Sequence, residues 1–119
     1  MKEFLIEGIK KINVNYTEKQ IDDLISYLNL LVEYNSHTNL TAVRDEKGII
    51  EKHFLDSLLL QNYINADTKT AIDIGTGAGF PGMVLAIFNR DIKFTLMDSV
   101  GKKTKFLEEV KEKLNLENV

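Results

Sequence analysis

Apolar residues in the first third of the chain recur every three to four positions, which is the spacing of one face of an α-helix. Thr17 and Gln20 match the capping-box pattern, in which two side chains bond backbone N–H groups at the start of a helix. We therefore expect a helix that begins at Thr17 and runs to about Tyr34. Its apolar face would comprise Ile21, Leu24, Ile25, Leu28, Leu31 and Val32.

The same spacing predicts one helix before this element and one after it. The first is short and lies near the amino terminus, and the second covers residues 49–64. Three helices are therefore expected before any strand. The two flanking helices would carry these apolar residues toward the core: Leu5, Ile9 and Ile12, and then Phe54, Leu58 and Leu59.

Beyond these helices the pattern changes to short apolar runs around a glycine-rich segment. The run 70–74 is β-branched and apolar apart from Asp73, which is typical of a buried parallel strand. Residues 83–88 are apolar nearly all round and predict a buried helix, with Pro81 suited to its first turn. Residues 92–97 predict a second strand. Together these elements form one βαβ unit.

The loop after the first predicted strand carries glycines at alternate positions, Gly75, Gly77 and Gly79. Glycine adopts positive φ and has no Cβ, so a ligand can lie directly against such a backbone. Asp98 ends the second predicted strand, and ligands of open α/β sheets bind at the carboxyl ends of the strands. The loop and Asp98 together indicate an adenosine-cofactor site, although a purely structural turn can have the same composition.

The glycine spacing does not distinguish between two adenosine cofactors. Residues 77–82 also fit the G-x-G-x-x-G pattern of NAD sites, and Asp98 lies about 20 residues further on. Charge is more informative, because Asp73 would then stand beside a pyrophosphate and repel it. S-adenosylmethionine has no phosphate and carries two cationic groups. We therefore expect S-adenosylmethionine, with both its ribose hydroxyls donating to Asp98, and NAD is the alternative.

Five segments, in order and covering essentially the whole chain, closely resemble one family. That family is glucose-inhibited division protein B, also called ribosomal RNA small-subunit methyltransferase G. The Asn-Leu-Thr and His-x-x-Asp-Ser sequences within these segments are not general to methyltransferases, which makes the resemblance specific. The five segments are Tyr34–Asn35, Asn39–Asp45, His53–Leu58, Asp73–Gly82 and Met97–Leu107.

The resemblance implies a Rossmann-like class I methyltransferase that uses S-adenosylmethionine to methylate N7 of one guanine in small-subunit ribosomal RNA. The fold would be α/β, with residues 1–66 as a helical cap packed, as a single domain, on residues 67–119, the first part of the cofactor-binding sheet. No catalytic residue is assigned, because guanine N7 has a free lone pair. The residues expected to bind the cofactor are Asp73, Gly75, Thr76, Gly77, Gly79, Phe80, Asp98 and Ser99.

Length is the main departure from the family. Its members are roughly two hundred residues or longer, which suits a full doubly wound sheet, whereas this chain has 119. It is expected to be an apparently truncated front half, with residues 115–119 where a third strand would begin. Open sheet edges would allow self-association, and the piece alone is expected to be inactive.

Two groups of polar residues are candidates for the substrate side of the site. His53, Asp56 and Ser57 are spaced to share one helix face, and the resemblance favours a role beside the glycine loop over an ordinary surface pair. Asn39 and Arg44 lie in a polar segment between helices. Such segments often hold sites, but the same residue types are also common in turns.

Lys102 and Lys103 form a third candidate group, because they fall at the start of the last predicted helix. The helix dipole disfavours cations there, so contact with an RNA phosphate would explain them. The family has basic residues at the matching positions. The alternative is a solvated face that is balanced by acidic residues further along the helix.

Composition narrows the function classes. With 44% hydrophobic and 28% charged residues and no long apolar run, the chain shows neither a membrane span nor a secretory signal, so a cytoplasmic location is expected. The absence of cysteine and the two unclustered histidines predict no metal site. A net charge of −3 argues against bulk electrostatic binding of nucleic acid but allows a local basic patch. Besides an RNA methyltransferase, a non-catalytic module that binds an adenosine cofactor or RNA stays open, and an NAD-dependent enzyme is less favoured.

Overall fold

A computed structural model describes residues 1–119, the whole of the printed sequence. Helices precede a small parallel sheet, so the α/β class predicted from the sequence is confirmed. None of the helices is long and apolar enough to cross a membrane. The elements in chain order are α1 (Lys2–Lys11), α2 (Glu18–Asn35), α3 (Glu46–Ile49), a π-helix (Ile50–Leu55), α4 (Asp56–Leu58), a 3₁₀ turn (Gln61–Tyr63), β1 (Thr70–Ile74), α5 (Gly82–Phe88), β2 (Lys93–Met97) and α6 (Gly101–Leu114).

Helix α2 begins where the sequence predicts. Thr17 is its N-cap, and the Thr17 hydroxyl accepts a hydrogen bond from the Gln20 backbone N–H at 3.2 Å. The Gln20 side-chain oxygen accepts in turn from the Thr17 backbone N–H at 2.9 Å. Both bonds of the capping box are therefore present. The helix buries Ile21, Leu24, Tyr27, Leu28 and Leu31.

The third predicted helix differs from the expectation in its bounds and its winding. It begins at Glu46 rather than at residue 49, because the Asp45 carboxylate caps its first turn. Its middle winds as a π-helix, and the last α-helical residue is Leu58. Leu58 is buried as predicted, but Leu59 is 48% exposed rather than in the core, because it lies beyond the end of the helix.

The two strands are parallel neighbours connected through α5. Their register pairs Thr70 with Lys93 at one end and Ile74 with Met97 at the other. Helix α5 is buried over its first six residues, as its composition predicts. Pro81 is the N-cap of α5 rather than part of its first turn. The carboxyl ends of both strands therefore point to the same end of the molecule, next to the start of α5.

The C-terminal residues run along the edge of β2 that faces away from β1. The Phe94 backbone N–H donates to the Asn118 carbonyl at 2.7 Å. The Asn118 side-chain nitrogen lies within 3.1 Å of three carbonyls at the end of α5 and the start of β2, those of Ala86, Asn89 and Ile92. These residues include those at which the sequence predicts the start of a third strand.

One hydrophobic core joins the N-terminal helices to the βαβ unit. A polar link reinforces it, because the carboxylate of Asp23 on α2 accepts from Arg90, in the α5–β2 connection, at 3.0 Å. The core therefore crosses the boundary at residues 66 and 67 that the sequence suggests. Its members include Leu5, Ile9, Leu24, Leu28, Phe54, Leu58, Val84, Ile87, Phe106 and Val110.

Only one face of the sheet is covered. Phe94 is buried in the cluster that includes residues of α5, whereas Ile72 is 61% exposed and Ile74 is 76% exposed on the opposite face. The prediction that residues 70–74 form a buried strand is therefore wrong for this chain, because no helix packs on that outer face. A run of apolar residues is typical of a strand in a sheet that is covered on both faces. Strand β1 has such a run, although only one face of this sheet is covered.

We predict opposite effects of alanine at two glycines that both begin a helix. At Gly82, an added Cβ would overlap Leu96 Cδ2 and lie 2.9 Å from Asp73 Oδ2, so Gly82→Ala should lower the free energy of unfolding by about 1–2 kcal/mol. At Gly101 nothing lies within 4 Å of such a Cβ. Gly101→Ala should therefore raise the free energy of unfolding by about 0.5 kcal/mol. Urea unfolding followed by circular dichroism measures both, and equal midpoints for the two variants would contradict the packing described for α5.

Candidate functional site

The carboxyl ends of β1 and β2 lead into two backbone segments, residues 75–81 and residues 98–100. The Asp98 carboxylate joins them, because one oxygen accepts from the Gly77 N–H at 2.8 Å and the other from the Val100 N–H at 2.9 Å. The hydrogen bonds from Val100 and Gly77 hold the pKa of Asp98 below its usual range. Asp98 is thus an ionised acceptor at neutral pH, and each oxygen keeps lone-pair capacity for a ligand.

Asp73 also stabilises this loop through hydrogen bonds. One of its oxygens accepts from the Thr76 hydroxyl at 2.6 Å and from the Gly82 N–H at 2.9 Å. It thereby ties the end of β1 to the start of α5. Thr76 is among the residues predicted to bind the cofactor, yet its side chain is buried and its hydroxyl is engaged by Asp73.

The glycines of the loop divide into two kinds. Gly75 and Gly77 have φ of 75° and 62°, and nothing lies within 4 Å of a Cβ added at either position. Their backbone therefore borders open space that a ligand can enter. Gly79 has φ of 108°, but a Cβ there would overlap the Tyr27 hydroxyl and lie 2.9 Å from Met83 Cβ. Gly79 is required by packing, and it does not face the open side.

Phe80, another predicted cofactor residue, lies between two other rings. Its ring is stacked on Tyr27 with centroids 5.4 Å apart and on His53 with centroids 4.4 Å apart. The ring is therefore engaged by two protein rings and is partly buried. Tyr27 itself donates from its hydroxyl to the Ala78 carbonyl at 2.5 Å. Sequence reasoning missed Tyr27, because a tyrosine on the apolar face of a helix gives no signal beyond core packing.

The segment between α2 and α3 is organised by Asn35, the last residue of α2. Its buried side-chain oxygen accepts from the backbone N–H groups of Leu40 and Thr41 at 2.9 and 3.1 Å. Arg44 donates to the Asn35 carbonyl at 2.8 Å and to the Asn39 side-chain oxygen. The two predicted residues Asn39 and Arg44 are thus brought together and both are exposed. Asn35 belongs to a segment that carries the family resemblance, but its role in organising this loop was not predicted from the sequence.

The side chains of His53, Asp56 and Ser57 do not hydrogen-bond to one another. The His53 Nε2 atom instead lies 2.8 Å from the Thr41 hydroxyl, and the Ser57 hydroxyl donates to the His53 backbone carbonyl at 2.5 Å. Asp56 is exposed. His53 belongs to the π-helix, whereas Asp56 and Ser57 belong to α4.

The lysines predicted to contact RNA lie at the start of α6. Lys102 is exposed and Lys103 is half-buried, and no side chain caps this helix. The positive charge of Lys103 contributes, after the two backbone hydrogen bonds, to lowering the pKa of Asp98. Ser99, another predicted cofactor residue, is exposed beside Asp98. The basic start of α6 therefore adjoins the Asp98 end of the site.

We predict that His53 makes the stability of the chain depend on pH. Burial lowers the pKa of His53 below 6.5 in the folded chain. As the pH falls below 6.5 the unfolded chain takes up this proton first, so the free energy of unfolding should decrease until the pH passes the folded-state pKa. His53→Gln should flatten the urea-unfolding curve against pH between 7.5 and 5. His37→Gln should keep the original slope, because His37 is exposed; a flattening by His37→Gln alone would refute the assignment.

The chain is similar in sequence to proteins of one family. A sequence profile described as GidB, rRNA small subunit methyltransferase G, matches residues 20–119. A protein named ribosomal RNA small subunit methyltransferase G from Fusobacterium nucleatum subsp. nucleatum is 65% identical over 119 residues, which are 100% of this chain and 51% of that protein.

Two more distant relatives carry the same name. The protein from Acetivibrio thermocellus is 43% identical over 100% of this chain and 49% of its own length. The protein from Francisella tularensis subsp. novicida is 42% identical over 100% of this chain and 57% of its own length. The chain spans about half the length of the curated relatives it matches. The profile match extends from the first turns of α2 through the glycine loop and Asp98, and on these grounds the chain belongs to the rRNA small subunit methyltransferase G family.

Proposed function

We propose that this chain forms the S-adenosylmethionine-binding part of a methyltransferase that modifies N7 of a guanine in small-subunit ribosomal RNA. The observation that carries the proposal is the open backbone at Gly75 and Gly77, which lies between the ends of two parallel strands and beside the ionised Asp98. Family membership supports RNA methylation, and the site chemistry supports the cofactor.

The charges at the site favour S-adenosylmethionine over a dinucleotide. Asp73 accepts from the Thr76 hydroxyl within the glycine loop and from the Gly82 N–H at the start of α5. A pyrophosphate placed against this loop would be repelled by Asp73, whereas a sulfonium and an ammonium group would be attracted by it. Asp98 retains acceptor capacity for both ribose hydroxyls while it holds the Gly77 and Val100 N–H groups.

The reaction needs no catalytic base in this proposal. The N7 lone pair of guanine attacks the methyl carbon of the sulfonium, the carbon–sulfur bond breaks, and its electrons return to sulfur as a neutral thioether. The positive charge passes from sulfur to the methylated base, and no proton is transferred. The rate then depends on holding N7, carbon and sulfur in line, and such orientation is worth several kcal/mol. The role of this chain is to hold the methyl donor.

The exposed Asn39–Arg44 pair and the lysines at the start of α6 are the candidates for contacts with the RNA. Arg44 donates to both Asn35 and Asn39, so its guanidinium is held at the surface of the segment between α2 and α3. Lys103 adds positive potential beside Asp98. A phosphate that passes this end of the site would neutralise the basic start of α6 and relieve its unfavourable interaction with the helix dipole.

Calorimetric titration of the 119-residue chain with S-adenosylmethionine tests the cofactor assignment. We expect saturable binding, at least tenfold weaker binding in Asp98→Ala, and no binding of NAD. Asp91→Ala is the matched control, because Asp91 is an exposed aspartate just before β2, at the opposite end of that strand from Asp98. Binding of NAD in preference, or equal effects of the two alanine variants, would contradict the proposal, and so would a folded chain that binds neither ligand.

The lysines at the start of α6 give a second prediction. The double variant Lys102→Glu/Lys103→Glu should weaken binding to a fragment of small-subunit ribosomal RNA. It should also reduce the slope of log K against log salt by about 0.7 to 0.9 for each lysine that contacts a phosphate. Lys111→Glu/Lys113→Glu makes the same charge change in the last turn of the helix. Filter binding at several salt concentrations measures both, and an equal loss in the two double variants would mean that only net charge matters.

The methyl-transfer reaction distinguishes a methyltransferase from a non-catalytic binding module. If the longer Fusobacterium nucleatum relative transfers the methyl group of S-adenosylmethionine to guanine N7, reduction and mild cleavage of the RNA will break the strand at the modified base. Methylation at another atom would leave the strand intact, and no transfer at all would favour the binding module.

A further inference from the structure

The glycine loop has an open side and a packed side. Gly75 and Gly77 border open space, whereas Ala78 is buried and Gly79 is fixed against its neighbours. Three residues of this loop have positive φ, and glycine backbones lose the most conformational freedom when they are ordered. The loop therefore needs contacts that hold its shape. On the open side, a group that a ligand must displace cannot provide such a contact.

Tyr27 provides the attachment at the packed side. It is completely buried, and its hydroxyl donates to the Ala78 carbonyl at 2.5 Å. Burial, reinforced by the negative charge of Asp73, raises the pKa of Tyr27 well above its ordinary value, so the hydroxyl keeps its proton and stays a donor. The same hydroxyl occupies the space that a Cβ at Gly79 would need.

His53 provides a second attachment through Phe80. Its imidazole is stacked on Phe80 with an interplanar angle of 8°, and Phe80 is stacked on Tyr27 with an angle of 9°. The imidazole is fixed in turn by Thr41, whose hydroxyl lies 2.8 Å from Nε2. Phe80 is thus held by two stacked rings, and a movement of this part of the loop would disturb both stacks.

We propose that Tyr27 and His53 are positioning residues that hold the glycine loop in the shape that binds the methyl donor, without contacting the donor themselves. The inference rests on the proposed function of the loop. It adds that part of the affinity for S-adenosylmethionine originates in residues of the N-terminal helices, behind the loop. A loop that populates its binding shape for only a fraction of the time binds more weakly by that fraction.

The test compares Tyr27→Phe with Tyr34→Phe. Both changes remove one hydroxyl, but Tyr34 is half-buried and packs on Phe106 and His37, and its hydroxyl does not reach the loop carbonyl. We expect Tyr27→Phe to weaken S-adenosylmethionine binding about tenfold. The amide hydrogens of Gly79 and Phe80, which donate to the Thr76 carbonyl, should exchange about tenfold faster relative to amides in the middle of α2. Tyr34→Phe should leave both quantities within twofold of the original chain.

Two substitutions test the role of His53, one that removes its ring and one that keeps a ring at this position. His53→Ala removes the ring and should weaken binding and accelerate exchange as Tyr27→Phe does. His53→Phe keeps a ring that can stack on Phe80, and it should restore most of the affinity. This pair keeps the proposal open to refutation if Tyr27→Phe does not fold.

The two readouts separate the positioning role from the cofactor assignment. Affinity and exchange that are unchanged in both Tyr27→Phe and His53→Ala would overturn the positioning role. Unchanged exchange with weakened binding would also overturn it, because the loop shape would not have been affected. If the original chain binds no S-adenosylmethionine, the proposed function fails, while the exchange rates still decide whether Tyr27 and His53 hold the loop.

Discussion

The site depends on carboxylates that accept hydrogen bonds from a loop rich in glycine and from the start of the helix that follows it. Such a loop has little side-chain surface with which to anchor itself, and its many accessible conformations oppose order. Asp73 and Asp98 supply the anchors from the ends of neighbouring strands. Asp98 accepts from the Gly77 N–H at 2.8 Å, and Asp73 accepts from the Thr76 hydroxyl at 2.6 Å and the Gly82 N–H at 2.9 Å. Because charged acceptors form stronger hydrogen bonds than neutral ones, these two residues define where the backbone lies. The parallel register that brings both strand ends together is therefore a condition for the site.

The N-terminal helices take part in the site as well as covering the sheet. Tyr27 of α2 and His53 of the π-helix contact the loop from behind, and Thr41 links His53 to the segment that contains Asn39 and Arg44. The proposed cofactor side and the candidate RNA side are thus connected by a short chain of contacts. His53 takes part in this connection through its contact with Thr41 and its stack on Phe80.

The elements of the site that the sequence predicted are those encoded by local patterns. The capping box at Thr17, the βαβ unit and the positions of the glycines and Asp98 follow from residue type and spacing, and the structure has them. What could not be predicted depends on long-range packing. Tyr27 meets Ala78 across 51 positions, so no window of sequence contains both residues. The contacts of His53 could not be predicted either, because Thr41, which lies 2.8 Å from its Nε2 atom, belongs to a different segment of the chain. Asn39 and Arg44 were recognisable as candidates, but their shared dependence on Asn35 was not.

The uncovered face of the sheet is separate from the contacts that shape the glycine loop. Ile72, Ile74 and Met97 are exposed there, and such apolar surface favours association with other protein surfaces. The groups that shape the loop do not use that face. Asp73 faces α5 through Gly82, and Tyr27 and His53 lie in helices on the covered side. Asp98 acts through backbone N–H groups of its own end of the sheet. The shape of the glycine loop is therefore determined by contacts present within these residues, and the state of the outer face should affect overall stability more than the geometry of the proposed cofactor site.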